Sequence, residues 1–226
     1  MLIIAIDTSG RKGSIALCRG DADSFDVLQL TSLEGGTYSA QVMPVISGAL
    51  AEHHLDKTAV DGFVVVSGPG SFTGLRVGLA TVKGLCEVLQ KPLATVSMLE
   101  ALALTYGRAG QASTAILDAG RGEVYVGEYE VSAGCAGLVR EYIAKLDEFA
   151  DQARAVKGDL LTPDANVAGR LRTANLNVKH TDPLQADQIG RIGMRKLLMG
   201  DLVDPATVDV NYIRRSDAEI FSAPKP

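Results

Sequence analysis

Asp7-Thr8-Ser9-Gly10 places one carboxylate and two hydroxyls at a turn between two apolar runs. Such a group can hold a metal–phosphate complex. The same residues are also ordinary turn formers that bond their own backbone. A second segment, Ser67-Gly68-Pro69-Gly70-Ser71-Phe72-Thr73-Gly74, leads into a helical pattern. Its glycines let backbone come close to an anion, and the positive end of a helix follows. No Gly-Lys-Ser/Thr follows, so it is not a Walker loop. A tight turn capped by Ser71 or Thr73 is the alternative. A third segment, Leu117-Asp118-Ala119-Gly120-Arg121-Gly122, again ends an apolar run in Asp and small residues.

Other catalytic sets are poor. The histidines are His53, His54 and His180. Neighbours in sequence point apart on a helix, so His53 and His54 are not the i, i+4 pair a metal wants. They read as solvated residues at a helix end. No GxSxG elbow is present. Cys18, Cys86 and Cys135 are odd in number, widely spaced and without a CxxC pair, so neither a zinc site nor a disulfide framework is suggested. Arg121 and Glu123 read as surface turn residues. The adjacent Arg214 and Arg215 suit an acidic partner or RNA, or a solvated end.

These groups must be positioned by a sizeable core. The chain has 226 residues, 46% hydrophobic and 22% charged, which fits a globular protein of one or two lobes. The net charge is -5 and the pI about 5.2. Unaided nucleic-acid binding usually needs a basic face, and the bulk composition shows none. Met1 to Asp7 lacks a basic leader region and reads as a first strand, not a signal peptide. No run reaches the roughly 20 apolar residues that cross a bilayer, so the cytoplasm is expected. Ser222 to Pro226 reads as a frayed tail.

Leu2 to Ile6 and Ser14 to Cys18 predict a hairpin, with a third strand over Ser24 to Leu30. A helix follows from about Ser39 to Ala51. Gly62 to Ser67 predicts a buried strand, Phe72 to Leu89 a helix, Lys91 to Val96 a strand and Met98 to Tyr106 a helix. Thr114 to Gly122 and Glu123 to Tyr129 then mirror the first hairpin. Later helices are expected at Leu146 to Ala155 and Ala186 to Met199, with an apolar stretch at Asp159 to Thr162 and an extended segment at Val208 to Arg215. The mirror implies an α/β chain of two sheet-based lobes, 1–108 and 109–226. A duplicated βββαβα plan of this kind resembles the actin, Hsp70 and sugar-kinase architecture. In that superfamily the hairpin turns cradle nucleotide phosphates through backbone N–H groups.

Two helices carry unusually little charge. Ser39 to Ala51 has none, and Gly74 to Cys86 has only Arg76 and Lys83. A surface helix needs only one apolar face, and these have more. Either they are sandwiched inside a lobe or they meet another protein's helices, and the second reading is preferred. The interface residues it assigns are Tyr38, Val42, Val45, Ile46, Ala49, Thr73, Gly74, Val77, Gly78, Ala80, Thr81 and Leu85. Gly74 and Gly78, four apart, with Gly48 on the other helix, are expected to admit a partner's backbone.

Four segments occur in order: Ile6 to Ser9, Gly68 to Gly78, Leu117 to Tyr125 and Tyr212 to Ser216. Together they resemble the bacterial TsaB family, once called YeaZ, over the whole chain. The resemblance implies a non-catalytic partner and activator of TsaD. TsaD transfers a threonylcarbamoyl group to adenosine 37 of tRNAs reading codons that begin with A. It implies a heterodimer with TsaD through the N-terminal lobe, a TsaE-like ATPase joining the assembly, tRNA met through the complex, and homodimers in some members by the same surface. TsaD-like proteins carry a metal-binding histidine pair on the first helix; Thr37 to Pro44 has no histidine here, and Tyr38-Ser39 stands where many relatives have His-Ser. Pro44 implies a bend or an irregular first turn. No catalytic residue, metal or cofactor is therefore expected. Asp7, Thr8, Ser9, Asp118 and Gly120 are read as a vestigial nucleotide site, since no adenosine-binding signature is recognisable in the second lobe. An ATPase or phosphotransferase is the alternative function, and a peptidase a weaker third.

Overall fold

The computed structural model describes residues 1–213. The expected tail at Ser222–Pro226 and the Arg214–Arg215 pair lie outside the described residues.

Strand β1 (Leu2–Asp7) is buried along its whole length, because it is the middle strand of a five-stranded sheet. It pairs antiparallel with β2 (Lys12–Gly20) on one side and parallel with β4 (Gly62–Gly68) on the other. β3 (Phe25–Glu34) and β5 (Leu93–Ser97) form the edges, giving the order β3-β2-β1-β4-β5. The unbroken apolar runs of β1 and β4 follow from cover on both faces. Helix α1 (Tyr38–Glu52) joins β3 to β4, α2 (Phe72–Leu89) joins β4 to β5, and α3 (Met98–Tyr106) follows β5.

The second half repeats this plan. β6 (Gln111–Gly120), β7 (Glu123–Ser132) and β8 (Cys135–Lys145) form an antiparallel meander. Helix α4 (Leu146–Ala153), β9 (Asp159–Thr162), α5 (Ala165–Thr173), β10 (Val178–His180) and α6 (Ala186–Met199) complete it. The sheet order is β10-β9-β6-β7-β8, with β9 and β10 parallel to β6. Read from its other edge and numbered within its own half, this is again 3-2-1-4-5. The duplication seen in two hairpins thus extends through five strands. Its core gathers Ile116, Val124, Val126, Phe149, Leu160 and Leu171.

The single boundary at residue 108 is corrected. One compact unit comprises Met1–Ala101 with Leu184–Val210; the other begins at Leu102, runs to Pro183 and resumes at Asn211. The reason is α6. Its residues Ala186, Ile189, Ile192 and Leu197 are buried, and it packs on β1, β2, β4 and β5. α6 and the α1–α2 pair cover opposite faces of the first sheet. A Cβ on Gly193 would meet Val64, and one on Gly78 would approach Val65, the next residue of β4.

Other differences are local. β3 runs on to Glu34, beyond the expected Leu30. β8, α5 and β10 lie outside the elements that the sequence pattern predicts. β8 is largely exposed, α5 has a glycine at its centre, and β10 spans three residues, so each carries a weak hydrophobic pattern. α1 continues through Pro44 as one helix. Residues 208–213 lie in no strand.

Candidate functional site

The glycine-rich segment begins as β4 ends. Ser71 is the N-cap of α2, its hydroxyl accepting from Gly74 N at 3.3 Å. The β1–β2 turn is pressed into this helix start. Ser71 N donates to Ser9 O at 2.6 Å, and Thr8 Oγ1 donates to Gly74 O at 2.7 Å. A Cβ at Gly70 would lie 2.5 Å from Ser9 O, and one at Gly74 2.0 Å from Thr8 O. Protein backbone therefore occupies the close-approach space those glycines create. The expectation that Gly74 and Gly78 admit a partner's helix is corrected: both are buried, and they admit the chain's own Thr8.

Asp7 points elsewhere. It stands in register with Ser14, whose hydroxyl accepts from Ala186 N, the first residue of α6, at 2.8 Å. One oxygen of Asp7 accepts from Ser9 N at 2.8 Å and Ser9 Oγ at 2.6 Å. Burial pushes its carboxyl above the ordinary value of 3.8, against the lowering effect of the Ser9 bonds. A carboxyl raised on folding gives stability that is full at acid pH and falls as pH rises through the folded value. Asp7→Asn keeps an oxygen for Ser9 and carries no charge. The variant is expected to lose that part of the fall and to melt at or above the parent temperature at neutral pH. Thermal melts from acid to neutral pH check this; a variant that melts lower at every pH would contradict it.

In the second unit Asp118 is exposed. Its Oδ1 accepts from Gly120 N, and its own N donates to Asp164 Oδ2, both at 2.8 Å. Gly120, Arg121 and Gly122 take φ of 72°, 56° and 77°, so the turn is left-handed throughout. Burial raises the Asp164 carboxyl above its ordinary value, against the lowering effect of the bond from Asp118 N; the Asp118 charge raises it further and His180 lowers it. Asp164 and His180 thus join Asp118 at one end of β6, β9 and β10. No sequence pattern signals this, because strand pairing alone brings them together. Among the described residues no group of three or more His, Cys, Asp or Glu is placed to hold a metal.

The helix pair is the remaining feature. α1 and α2 pack against each other and on the sheet. Six of the twelve assigned interface residues are corrected, because they face inward: Tyr38, Val42, Ile46 and Ala49 belong to the core beside Gly74 and Gly78. Val45, Val77, Thr81 and Leu85 are half-buried, and Thr73 and Ala80 are exposed. The outward stripe on α2 is Thr73, Val77, Ala80, Gly84 and Val88, spaced by four and three residues. On α1 it is Ala40, Pro44, Ser47 and Ala51, flanked by Met43, 43% exposed. None of these is charged. Cβ atoms added at Gly48 and Gly84 would meet nothing within 4 Å, so these two glycines, not Gly74 and Gly78, leave the surface open. Lys83 turns aside, its Nζ donating to Val208 O at 2.9 Å.

Two copies of a 3-2-1-4-5 sheet with interleaved helices define a two-lobed α/β protein of the actin, Hsp70 and sugar-kinase class. The YeaZ structure from Pseudomonas aeruginosa has this fold: it superposes with a TM-score of 0.72 at 24% identity, over 92% of this chain and 98% of that one. A family model described as TsaD, tRNA N6-adenosine threonylcarbamoyltransferase, matches residues 35–167. The chain is 34% identical to the tRNA threonylcarbamoyladenosine biosynthesis protein TsaB of Bacillus subtilis (strain 168), over 59% of this chain and 57% of that protein. It is 32% identical to TsaB of Escherichia coli (strain K12), over 58% of this chain and 55% of that protein. The chain belongs to this TsaD-type family, and within it to the TsaB/YeaZ group. It spans little more than half the length of the curated relatives it matches.

Proposed function

We propose that the chain is a non-catalytic partner and activator of a TsaD-like protein in threonylcarbamoylation of adenosine 37 of tRNAs reading ANN codons. It docks through the outer face of α1 and α2. A TsaE-like ATPase and the tRNA meet it through that assembly, in the cytoplasm. A homodimer by the same face is the state the partner would displace. One observation carries the reading: adjacent helices each present a stripe of uncharged, mostly small residues outward, with Gly48 and Gly84 open and the exposed Arg76 and Glu87 of α2 beside it. Small residues let helix backbones approach closely, and an apolar face of this kind gains by being covered.

The phosphotransferase alternative draws no support from the first hairpin. There Thr8 is bonded to α2, and Asp7 is buried against its own turn. Similarity to relatives that act in threonylcarbamoyladenosine biosynthesis supports the process, and the match to a TsaD family model supports a TsaD-like partner.

A reconstituted reaction with the TsaD-like protein of the same cell tests this. Co-purification of the two chains is expected, together with a fall of about tenfold or more in tRNA modification when this chain is left out. An unchanged rate without it would remove the activator role.

A further inference from the structure

Thr8 is 1% exposed and cannot touch a partner, yet its side chain ties the filled turn to the docking helix. Its hydroxyl donates to Gly74 O at 2.7 Å. The same oxygen lies 2.4 Å from where a Cβ on Gly78 would stand. α2 thus rests on Thr8 at two successive turns. α1 bears on the same hairpin: Tyr38 OH donates to Gly10 O at 2.9 Å, and its ring lies 2.9 Å from where a Cβ on Gly13 would stand. Both helices of the outer face are seated on one turn.

We propose that Thr8 is a positioning residue for partner docking, its hydroxyl setting where α2 lies and so how the Thr73–Val88 stripe is presented beside α1. This rests on the docking function above. A surface of small residues makes its contacts at close range, so a displacement of about 1 Å loses much of its dispersion energy. A hydroxyl and a glycine-rich helix start, a combination suited to an anion, are used here to seat a helix.

The seating can be tested by a cycle of variants. Gly78→Ala brings a methyl group against Thr8 Oγ1. α2 must then move, or Thr8 must give up its bond to Gly74. Removing the hydroxyl leaves Val65 Cγ2 at 3.5 Å and Thr8 Cβ at 3.6 Å from that methyl, which are ordinary contacts. Binding to the TsaD-like protein of the same cell is measured by calorimetry, with the thermal midpoint of each variant recorded alongside. Gly78→Ala is expected to weaken binding about tenfold. Adding Thr8→Ala restores it to the level of Thr8→Ala alone, and adding Thr8→Ser does not. In the parent background Thr8→Ser binds normally, whereas Thr8→Ala binds several-fold more weakly.

Should Gly78→Ala fail to fold, the comparison of Thr8→Ala with Thr8→Ser decides by itself. Native affinity in both Gly78→Ala and Thr8→Ala would overturn the proposal. So would a loss of affinity that only tracks the unfolded fraction. Failure of the docking reading looks different: Ala80→Glu, a direct surface change, would then bind normally.

Discussion

Ala80→Glu is expected to abolish co-purification with the TsaD-like partner while leaving the fold intact. Ala80 is exposed at the centre of the outward stripe on α2, between Val77 and Gly84. A glutamate there is solvated in the free chain and interior to helix structure, so the isolated protein should melt within a few degrees of the parent. Arg76, exposed one turn earlier on α2, is the nearest cation, so the added carboxylate is at best partly compensated when the face is covered. Desolvating a charge at an interface core is costly, and about 2.7 kcal/mol already corresponds to a hundredfold in affinity. Calorimetry on the purified pair, with a melt of the free variant, measures both quantities. Native affinity would remove this face from the docking surface. Gly78→Arg is no equivalent probe: Gly78 is buried against Thr8, so arginine there tests folding.

Gly193→Val should be a severely damaging substitution for the first unit. A Cβ at residue 193 would lie 2.2 Å from Val64 Cγ1 and 2.5 Å from Cγ2, with Val64 itself wholly buried at the middle of the sheet. Neither wall can yield, since β4 pairs on both sides and α6 is held by Ile189 and Leu197. α6 must lift, exposing one face of the sheet. The cost is placed at about 4 kcal/mol or more, in the exceptional tail for point changes. For a chain of this size that lowers the midpoint by about 10 °C. Gly84→Ala is the control: its Cβ would meet nothing, so it should be neutral or slightly stabilising in the free chain. Equal melting of the two variants would show that α6 does not clamp the sheet.

Much of the architecture was legible in the residues. β1 and β4 announce themselves as unbroken apolar runs, and α2 by its capping serine and its length. The duplication could be read from Asp7 and Asp118 alone, because hairpins are local objects whose turn residues obey local rules. β8, α5 and β10 were not legible, since their stability comes from neighbours in the sheet and not from their own pattern. The return of α6 to the first unit was hidden for a related reason. Its glycines at 190 and 193 acquire meaning only against Ala5 and Val64, which lie far away in the chain.

The candidate site divides in the same way. Sequence by itself determined that α1 and α2 are depleted of charge, because that is a property of composition. It also determined that a glycine-rich helix start follows β4. Which half of each helix faces water, and what the glycines admit, only the tertiary structure decided. The rotation of a helix about its axis is set by the partner it packs on, and here that partner is the Thr8 turn. Gly74 and Gly78 are therefore seats for α2 within the chain, while Gly48 and Gly84, alike in sequence, are left open on the face proposed for docking.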